Sequence, residues 1–378
     1  MHRFVRIFGA PLAAALLSPA AGAAVLPFWF LPLRPDPADD SHPRVSGQTV
    51  VWQRGIGSAA EIWLRDDHRI LRLTQDGFAD ELPEVDGSLV VWQHDDGTDL
   101  EVMEFDGQTT SFVTDNTVDD SCPVAAGGFI GWRGTSPPYG RDFYLFPHAG
   151  GSQITGDADG ADDECPRGSA GNFAWSKLDN GDRNVWAWFE SLDDLYQITT
   201  SAVEQSSPAI SGERVAYVEG TGSAADIRLF DLADGSDIAL TADGSEDRNP
   251  QIQGNRVVWE HFDGTNWEID EYVIGGGGTQ QPVTNNSWND HDPQVSGDTI
   301  VWVADEPGHS QIWVKWHGAA PQRLTNDPVD HRSPQIDGEL IAFQSCASTC
   351  DIWLAPETPA AGLALAAVAA LAALARRR

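Results

Sequence analysis

The sequence predicts an all-β fold, an eight-bladed β-propeller of four-stranded antiparallel blades. Three observations support this prediction. A unit of about forty residues recurs along the chain, each unit reads as four short strands, and the strand missing from the last unit is available near the N-terminus. Units of this size cannot bury a core alone and must stack on their neighbours, so residues 28–355 are expected to form one body.

The repeat is marked by a proline that returns every 40 to 43 residues. The prolines are Pro43, Pro83, Pro123, Pro166, Pro208, Pro250, Pro293 and Pro334. Nine residues after them stand the aromatic residues Trp52, Trp92, Trp132, Trp175, Tyr217, Trp259, Trp302 and Phe343. A glycine lies four residues after every proline except one, where Ala170 takes its place. Offsets kept through this many copies indicate one supersecondary unit repeated radially.

The unit that begins at Pro293 illustrates the four predicted strands. They are Pro293–Ser296, Thr299–Ala304, Gln311–Trp316 and Pro321–Thr325. The second is almost continuously apolar, as expected of a strand covered on both faces, and the third alternates as a half-buried strand does.

The blade count follows from the two ends of the repeat. The unit from Pro334 stops after its third strand. Leu33 stands ten residues before Pro43, as Leu324 does before Pro334, so Phe28–Leu33 is expected to supply the outer strand of the last blade. That pairing would remove the open edges of a linear array. Seven blades are the alternative, with the last partial unit docked as a cap.

The excess of acidic residues limits the classes of partner that the chain is expected to bind. The chain has 57 acidic and 23 basic residues, a formal net charge of −34. Nucleic acids and anionic lipids need lysine or arginine to displace their counterions, so this charge argues against both. It favours cations, basic partners or solubility in a salty medium.

The two ends read as targeting segments. Residues 1–23 have a basic start, an apolar run and small residues at the end, which indicates a secretory signal peptide. Residues 356–378 hold an Ala/Leu run followed by three arginines, the pattern of a C-terminal membrane anchor with a cytoplasmic basic end. With the preceding Pro-Glu-Thr-Pro, this segment resembles the PEP-CTERM class of bacterial sorting tails. The predicted location is the cell surface, medium or periplasm of a Gram-negative-type bacterium.

Four cysteines in an exported chain predict disulfides. Cys346 and Cys350 share one loop and are the simplest pair. Cys122 and Cys165 each precede a repeat proline, and these equivalent positions favour a bond between adjacent units, with two reduced thiols as the alternative.

The segments that lead from one unit into the next resemble a known family. A Thr-x-Asp/Asn motif, an acidic residue, Pro-x-Val/Ile-x-Gly, a strand and Glu/Asp-Ile-Trp follow one another, for example from Thr74 to Pro83 and from Thr325 to Gly338. This order resembles the TolB-type, WD-like propeller repeat, and the resemblance covers residues 28–355. It implies the fold. The domain by which TolB binds Pal and Tol proteins is not recognised in this sequence, so a Tol-system role is not implied.

Three histidines support an enzyme alternative. His42, His291 and His331 stand just before repeat prolines, so they are expected at one mouth of the central channel. Some TolB-like propellers that cleave oligogalacturonate use channel-facing histidines and a divalent metal, which makes a metal-assisted polysaccharide lyase the enzyme alternative. A hydrolase is not expected, because the chain lacks a Gly-x-Ser-x-Gly elbow and a His-Glu-x-x-His pair.

Acidic residues repeat before the prolines and allow two interpretations. A ring of carboxylates could concentrate cations, or each aspartate three residues before its proline could fix the turn by accepting backbone N–H groups. The loop between Thr155 and Pro166 is longer than its counterparts and carries five carboxylates, at Asp157, Asp159, Asp162, Asp163 and Glu164. Such a loop is predicted to bind Ca²⁺, with a solvated acidic loop as the alternative.

The predicted function is that of an exported, surface-associated binding scaffold without catalytic activity, monomeric, with an envelope protein or a polysaccharide as ligand. Loops on a rigid scaffold would make the contact, and Trp267 and Trp288 are expected to be exposed and able to stack on sugars. The alternatives are the lyase and a purely structural envelope protein. Apart from Ca²⁺, no cofactor is expected.

Overall fold

The structure, a computed structural model, describes residues 31–33, 38–66, 69–136, 140–148, 155–156, 162–179, 181–275, 278–338 and 340–356. Residues 1–23 and nearly all of 356–378, for which targeting segments are predicted, lie outside these ranges. Asp157 and Asp159 of the predicted Ca²⁺ loop lie outside them too. Within the described ranges, the chain has no helix with the length and apolarity that a membrane crossing requires.

The described chain consists mainly of short β-strands. The N-terminal strand β1 is Leu31–Pro32. Units 1 and 2 comprise β2 to β9: Asp40–Ser46, Thr49–Arg54, Glu61–Arg65, Ile70–Arg72, Asp80–Asp86, Leu89–Asp95, Leu100–Phe105 and Thr110–Phe112. Units 3 and 4 comprise β10 to β18: Asp120–Ala126, Phe129–Ser136, Gly140–Pro147, Thr155–Gly156, Asp162–Asp163, Arg167–Ser169, Asn172–Asp179, Asp182–Phe189 and Asp194–Gln197.

The second half of the chain continues the series. Units 5 and 6 comprise β19 to β26: Gln205–Ser211, Arg214–Glu219, Asp226–Asp231, Ser236–Ala239, Asp247–Gln253, Arg256–Phe262, Trp267–Val273 and Gln281–Pro282. Units 7 and 8 comprise β27 to β33: Asp290–Ser296, Thr299–Asp305, Ser310–Lys315, Gln322–Arg323, Asp330–Asp337, Leu340–Cys346 and Cys350–Pro356. Two short 3-10 helices are Gly57–Ala59 and Gly222–Ala224.

Strands that follow one another in sequence also pair in space. Units 1, 2, 5, 6 and 7 each form a separate four-stranded antiparallel sheet, which confirms the predicted blade. Units 3 and 4 share one nine-stranded sheet, because β12 and β14 pair in parallel at Arg141 and Asp162. In unit 8, β1 pairs with β33 and forms the outer edge, and the backbone N–H of Leu33 extends the pairing to the carbonyl of Ile352 at 2.9 Å.

The hydrophobic core lies between the units rather than within them. Each cluster of buried apolar side chains in the described residues joins two consecutive units; one, for example, combines Val51 and Ile62 of unit 1 with Val90 and Trp92 of unit 2. The same holds for the ends of the series, where Val50 and Trp52 pack against unit 8 residues Leu340, Ala342 and Ile352. Every unit therefore depends on both neighbours for the burial of its apolar surface.

A line of hydrogen bonds also joins the units. The residue three positions after a repeat proline offers a side-chain oxygen to the backbone N–H of the turn glycine in the next unit. The acceptor–donor pairs, at 2.6 to 3.4 Å, are Ser46–Gly87, Asp86–Gly127, Ser169–Gly212, Ser211–Gly254, Gln253–Gly297, Ser296–Gly338 and Asp337–Gly47. These glycines have a φ of 55 to 61°, a left-handed conformation that explains why glycine recurs there.

The junction of units 3 and 4 departs from this rule. The acceptor position of unit 3 is occupied by Ala126, which has no side-chain oxygen. At the same junction Cys122 and Cys165 form a disulfide, with Cα atoms 5.5 Å apart. The second predicted disulfide, Cys346–Cys350, closes the hairpin between β32 and β33. Both predicted pairings are confirmed.

Candidate functional site

Seven of the innermost strands carry a β-bulge directly before the repeat proline. At these places the strand register shifts by one residue or more. The bulge residues have a φ of 50 to 53° and are His42, Leu82, Cys122, Ser207, Asn249, Asp292 and Ser333. They are exposed or half-buried, whereas the proline that follows each of them is buried. A bulge changes the direction of a side chain relative to a regular strand.

The innermost strands surround a cavity of ≈ 480 Å³, the channel cavity. Residues of all eight units line it. Four bulge residues contribute, together with neutral amide side chains on the same strands: His42, Asn249, Asp292, Ser333, Gln251, Gln294 and Gln335. The lining of this cavity therefore combines neutral hydrogen-bond donors and acceptors with the charged side chains of Arg44, Glu84, Arg167 and Asp292.

A second cavity of ≈ 380 Å³, the mouth pocket, adjoins the channel cavity. The two share Arg167, Asn249 and Gln251 in their linings. Arg133, Glu164 and Ser207 complete the polar lining of the mouth pocket, and Cys165 of the disulfide forms part of its wall. Both cavities lie within the range of about 300–1,000 Å³ that is typical of small-ligand sites.

The mouth pocket holds two arginines, Arg133 and Arg167. Arg133 is half-buried and donates to the hydroxyl of Ser121 at 3.2 and 3.3 Å, and neither Arg133 nor Arg167 forms an ion pair with any residue that the structure describes. By contrast, Arg44 in the channel cavity pairs with Glu84 at 2.6 Å. Burial, and then the nearby Arg141, lower the pKa of Arg133, while the charges of Asp162 and Glu164 act to raise it.

The three predicted histidines do not converge. His42 lines the channel cavity, where burial and then Arg44 lower its pKa. Neither His291 nor His331 is among the lining residues of that cavity. His331 is buried 5.4 Å from the ring of Phe343, and burial lowers its pKa.

His291 is held by two carboxylates. Its ring nitrogens lie 3.2 Å from Asp292 and 3.4 Å from Asp305. Burial acts to lower the pKa of His291, but the hydrogen bond and charge of Asp292, with the charge of Asp305, outweigh it and raise that pKa to about 9. The arrangement of histidines that the lyase alternative needs is thus not found among His42, His291 and His331.

Three residues of the predicted Ca²⁺ loop already have protein partners. Asp162 forms a two-pronged pair with Arg141, both contacts at 2.6 Å, and this pairing lowers the pKa of Asp162. Asp163 is buried and accepts the backbone N–H of Phe143 at 2.8 Å. Glu164 pairs with Arg183. The Ca²⁺ site stays a prediction whose remaining ligands, Asp157 and Asp159, lie outside the described residues.

The two predicted sugar-stacking tryptophans are not freely exposed. Trp267 is half-buried at the start of β25, and the guanidinium of Arg248 lies 3.5 Å from its ring centre. Trp288 is half-buried and packs on the cluster that joins units 6 and 7. The expectation of exposure is wrong for both, because neighbouring side chains cover the apolar rings.

The repeated aspartates have a structural role in four units. The aspartate three residues before the proline accepts the indole N–H of the tryptophan twelve residues later, at 2.8 to 3.1 Å; the pairs are Asp80–Trp92, Asp120–Trp132, Asp247–Trp259 and Asp290–Trp302. The sequence predicted an architectural role through backbone N–H groups. Asp163, three residues before Pro166, has this role, because it accepts the backbone N–H of Phe143. In the four units named above, the donor is instead the side chain of the blade's own tryptophan, which could not be known before strand pairing placed the two residues side by side.

Sequence reasoning missed the bulge residues, four of which line the channel cavity. The histidines near the prolines drew attention to His42, but the position directly before the proline was not recognised as a feature shared by the units. The available signal was variation: the residue before the proline is His, Leu, Cys, Ser, Asn, Asp or Ser in seven units, within a repeat that otherwise keeps its proline and aromatic residue.

Comparisons with known proteins identify the fold. No protein-family model and no curated protein matches the chain. Among solved structures, the β-propeller domain of the Trilobed protease from Pyrococcus furiosus, described as having an open velcro topology, has 11% identity and a TM-score of 0.55, over 77% of this chain and 99% of that one. The computationally designed Ika8 protein has 15% identity and a TM-score of 0.56, over 85% and 98%.

A third similar structure is a larger enzyme. A puromycin-hydrolyzing peptidase of Mycobacterium tuberculosis has 14% identity and a TM-score of 0.54, over 85% of this chain. The chain spans about half of that peptidase, 52% of its length. At these identities the similarity establishes the β-propeller fold and no activity.

Proposed function

We propose that this chain is an exported, non-catalytic binding protein whose eight-bladed ring presents a ligand site at the channel mouth. The ligand we propose is a hydroxyl-rich chain that carries a carboxylate, such as the end of an acidic polysaccharide. The observation on which this depends is the mouth pocket, in which Arg133 and Arg167 form no ion pair with a described residue. Glu164, which also lines the pocket, pairs with Arg183, and Ser207, Asn249 and Gln251 supply neutral side chains.

The ring supports the proposal because it makes the site rigid. Eight units line the channel cavity, unit 8 shares a cluster with unit 1, and β1 lies beside β33. Two disulfides are typical of proteins that leave the reducing cytoplasm, which supports export.

The charges support a local anion site on an acidic protein. An arginine guanidinium presents paired N–H donors that match the two oxygens of a carboxylate. The repulsion from the −34 net charge falls off over about 8 Å at physiological salt, so it weakens long-range attraction more than it weakens a contact within the pocket. Amide and hydroxyl side chains suit sugar hydroxyl groups, which both donate and accept.

The proposal is tested by calorimetric titration with an oligogalacturonate and with a neutral oligosaccharide of equal length. The acidic ligand should bind and the neutral one should bind at least about tenfold more weakly. Arg133→Gln and Arg167→Gln should each weaken binding of the acidic ligand by about 10- to 100-fold, as expected for losing a hydrogen bond to a charged group.

Arg65→Gln is the matched control, because Arg65 lies on β4 and contacts only the carbonyl of Gln48, at 3.5 Å, in the described residues. It should leave binding unchanged. Equal binding of both oligosaccharides, or binding that is insensitive to Arg133 and Arg167, contradicts the proposed ligand. Binding of an acidic peptide in place of the sugar would assign the site to a protein partner.

A further inference from the structure

Units 2 and 6 contain the same cluster of two aspartates and one histidine. In unit 2 it comprises Asp76, Asp80 and His94, and their ligand atoms all lie within 4.8 Å of one another. The equivalent residues of unit 6, at the same spacing in sequence, have the same proximity: Asp243, Asp247 and His261. From this geometry we propose two equivalent sites for a divalent transition-metal ion, with Zn²⁺ as the expected occupant.

The buried aspartate of each cluster retains an oxygen without a hydrogen-bond donor. Asp80 and Asp247 are both 0% exposed. One oxygen of Asp80 accepts from Trp92 and contacts His94, both at 2.8 Å, and Asp247 is bound in the same way by Trp259 and His261. Among the described residues, neither Asp80 nor Asp247 has a hydrogen-bond partner for its second oxygen, Oδ2. A buried carboxylate oxygen without a donor is costly, and a cation beside it removes that cost.

The outer aspartate gives each site an opening to solvent. Asp76 and Asp243 are exposed, and one oxygen of each accepts a backbone N–H at 2.9 Å, from Phe78 and Ser245 respectively. This hydrogen bond holds the carboxylate of Asp76 or Asp243 at the edge of its cluster. An ion can therefore enter from the surface side, while the buried aspartate lies on the core side.

The donor set fits zinc. Zn²⁺ is commonly held by imidazole nitrogen and carboxylate oxygen at about 2.0–2.2 Å, with three protein ligands and one water in open sites. Two aspartates and one histidine supply three ligands. In unit 2 the rings of Phe78 and Phe112 lie edge-on to His94 at 5.9 and 5.6 Å and hold the imidazole in place.

In other units the buried aspartate, or its equivalent, has different neighbours. The residue paired across the strands with the buried aspartate is Arg54 in unit 1 and Lys177 in unit 4, and a cation there excludes a metal ion. In units 3 and 7 that residue is Gly134 or Ala304, which offers no ligand. There, Asn116 and Asn286 stand in place of Asp76 and donate to the buried aspartate at 2.6 and 2.5 Å. Among the described residues, two aspartates and a histidine come together in this way in units 2 and 6.

The test uses the full chain without a polyhistidine tag and titrates it with Zn²⁺ alone. The expected result is two equivalents bound per chain. Asp76→Asn and Asp243→Asn should each remove one equivalent and together remove both. Asparagine is native at this position in units 3 and 7, so these variants should fold, which circular dichroism and the melting temperature can check.

His309→Gln is the matched control, because His309 forms an exposed pair with Asp330 at 3.1 Å without a third ligand. It should retain two equivalents. The proposal is overturned if the unaltered chain binds no Zn²⁺, if binding survives the double Asp→Asn variant, or if both single variants affect the same equivalent. The clusters include no mouth-pocket residue. A failure to bind Zn²⁺ therefore says nothing against the proposed ligand site, and a failure of the ligand site says nothing against the Zn²⁺ sites.

Discussion

Asp337 accepts a hydrogen bond from the backbone N–H of Gly47 at 2.7 Å, although 290 residues separate them in the chain. Asp86 makes the same bond to Gly127 across only 41 residues, between units 2 and 3. Unit 8 therefore contacts unit 1 through the same hydrogen bond by which unit 2 contacts unit 3.

Asp337→Ala should lower the free energy of unfolding by about 1 kcal/mol, since one hydrogen bond is lost. It should also speed amide hydrogen exchange in β2 and β31, because these strands hold the two chain ends together. Denaturant unfolding and exchange mass spectrometry measure the two effects. Asp86→Ala is the control and should cost about the same, but its faster exchange should fall in units 2 and 3. Faster exchange in the same strands for both variants would contradict the proposed ring.

Loss of the Cys122–Cys165 disulfide should destabilise the protein more than loss of Cys346–Cys350. The first closes a loop with a sequence separation of 43 and the second a loop of 4. Chain-entropy arguments give about 4 kcal/mol for the long loop and about 2 kcal/mol for the short one. Double Cys→Ser variants of each pair, unfolded by denaturant, provide the comparison. Equal losses would mean that the junction of units 3 and 4 does not depend on its cross-link.

Asp290→Asn should remove part of the pH dependence of stability. Burial raises the pKa of Asp290 from its ordinary 3.8 to about 7, against hydrogen bonds from Asn286 and Trp302 that act to lower it. A raised pKa means that the folded state binds the proton more tightly than the unfolded state. Stability from this group is therefore complete below about pH 4 and is lost as the pH rises through about 7.

The measurement is the free energy of unfolding at pH 5 and at pH 8. Between pH 5 and pH 8 the unaltered protein should lose a few kcal/mol of unfolding free energy, since a pKa difference of one corresponds to about 1.4 kcal/mol. Asp290→Asn should lose less over the same range. Asp298→Asn serves as control. The hydrogen bond from Arg256 lowers the pKa of this exposed aspartate, so Asp298 stays ionised between pH 5 and pH 8. An identical pH slope for Asp290→Asn and the unaltered chain would show that Asp290 is ionised throughout.

Thr325→Val should destabilise the protein by about 1–3 kcal/mol. The buried hydroxyl of Thr325 accepts the backbone N–H of Ile312 at 2.9 Å and donates to Gln311 at 2.9 Å, so valine leaves both groups unsatisfied. Thermal and denaturant unfolding measure the loss. Thr221→Val is the control, because Thr221 is exposed and its side chain makes no capping hydrogen bond; it should change stability by less than about 0.5 kcal/mol.

The same closing threonine explains why the fold could be predicted from the sequence. Thr325 and its equivalents bind the third strand of their own unit, and the tryptophans bind an aspartate of their own unit, so each repeated residue has a local partner that repetition reveals. Contacts made by residues that differ from unit to unit leave no repeated pattern in the sequence. The partners of Glu164 and Asp162 are arginines without counterparts in other units, and the cover over Trp267 is a single arginine.

The candidate site was less predictable because its parts come from different units. Arg133, Arg167 and Asn249 meet in the mouth pocket although they belong to units 3, 4 and 6. Nothing in the local sequence of one unit indicates what the others place beside it. The histidine clusters of units 2 and 6 could have been found, since both show the same Asp, Asp and His spacing, but only strand pairing places Asp80 opposite His94.

A bulge precedes the repeat proline in seven units, and it divides the repeat into positions that build the blades and one position that varies. The buried proline, the aromatic residue and the turn glycine build the blades, whereas the residue at the bulge lies outside the line of hydrogen bonds that runs from one unit to the turn glycine of the next. If the proposed site binds a ligand, a substitution such as Ser333→Asn in the channel cavity should change its specificity while the hydrogen bonds to the turn glycines stay in place. On that proposal, specificity can change one blade at a time in a chain whose blade-building residues stay the same.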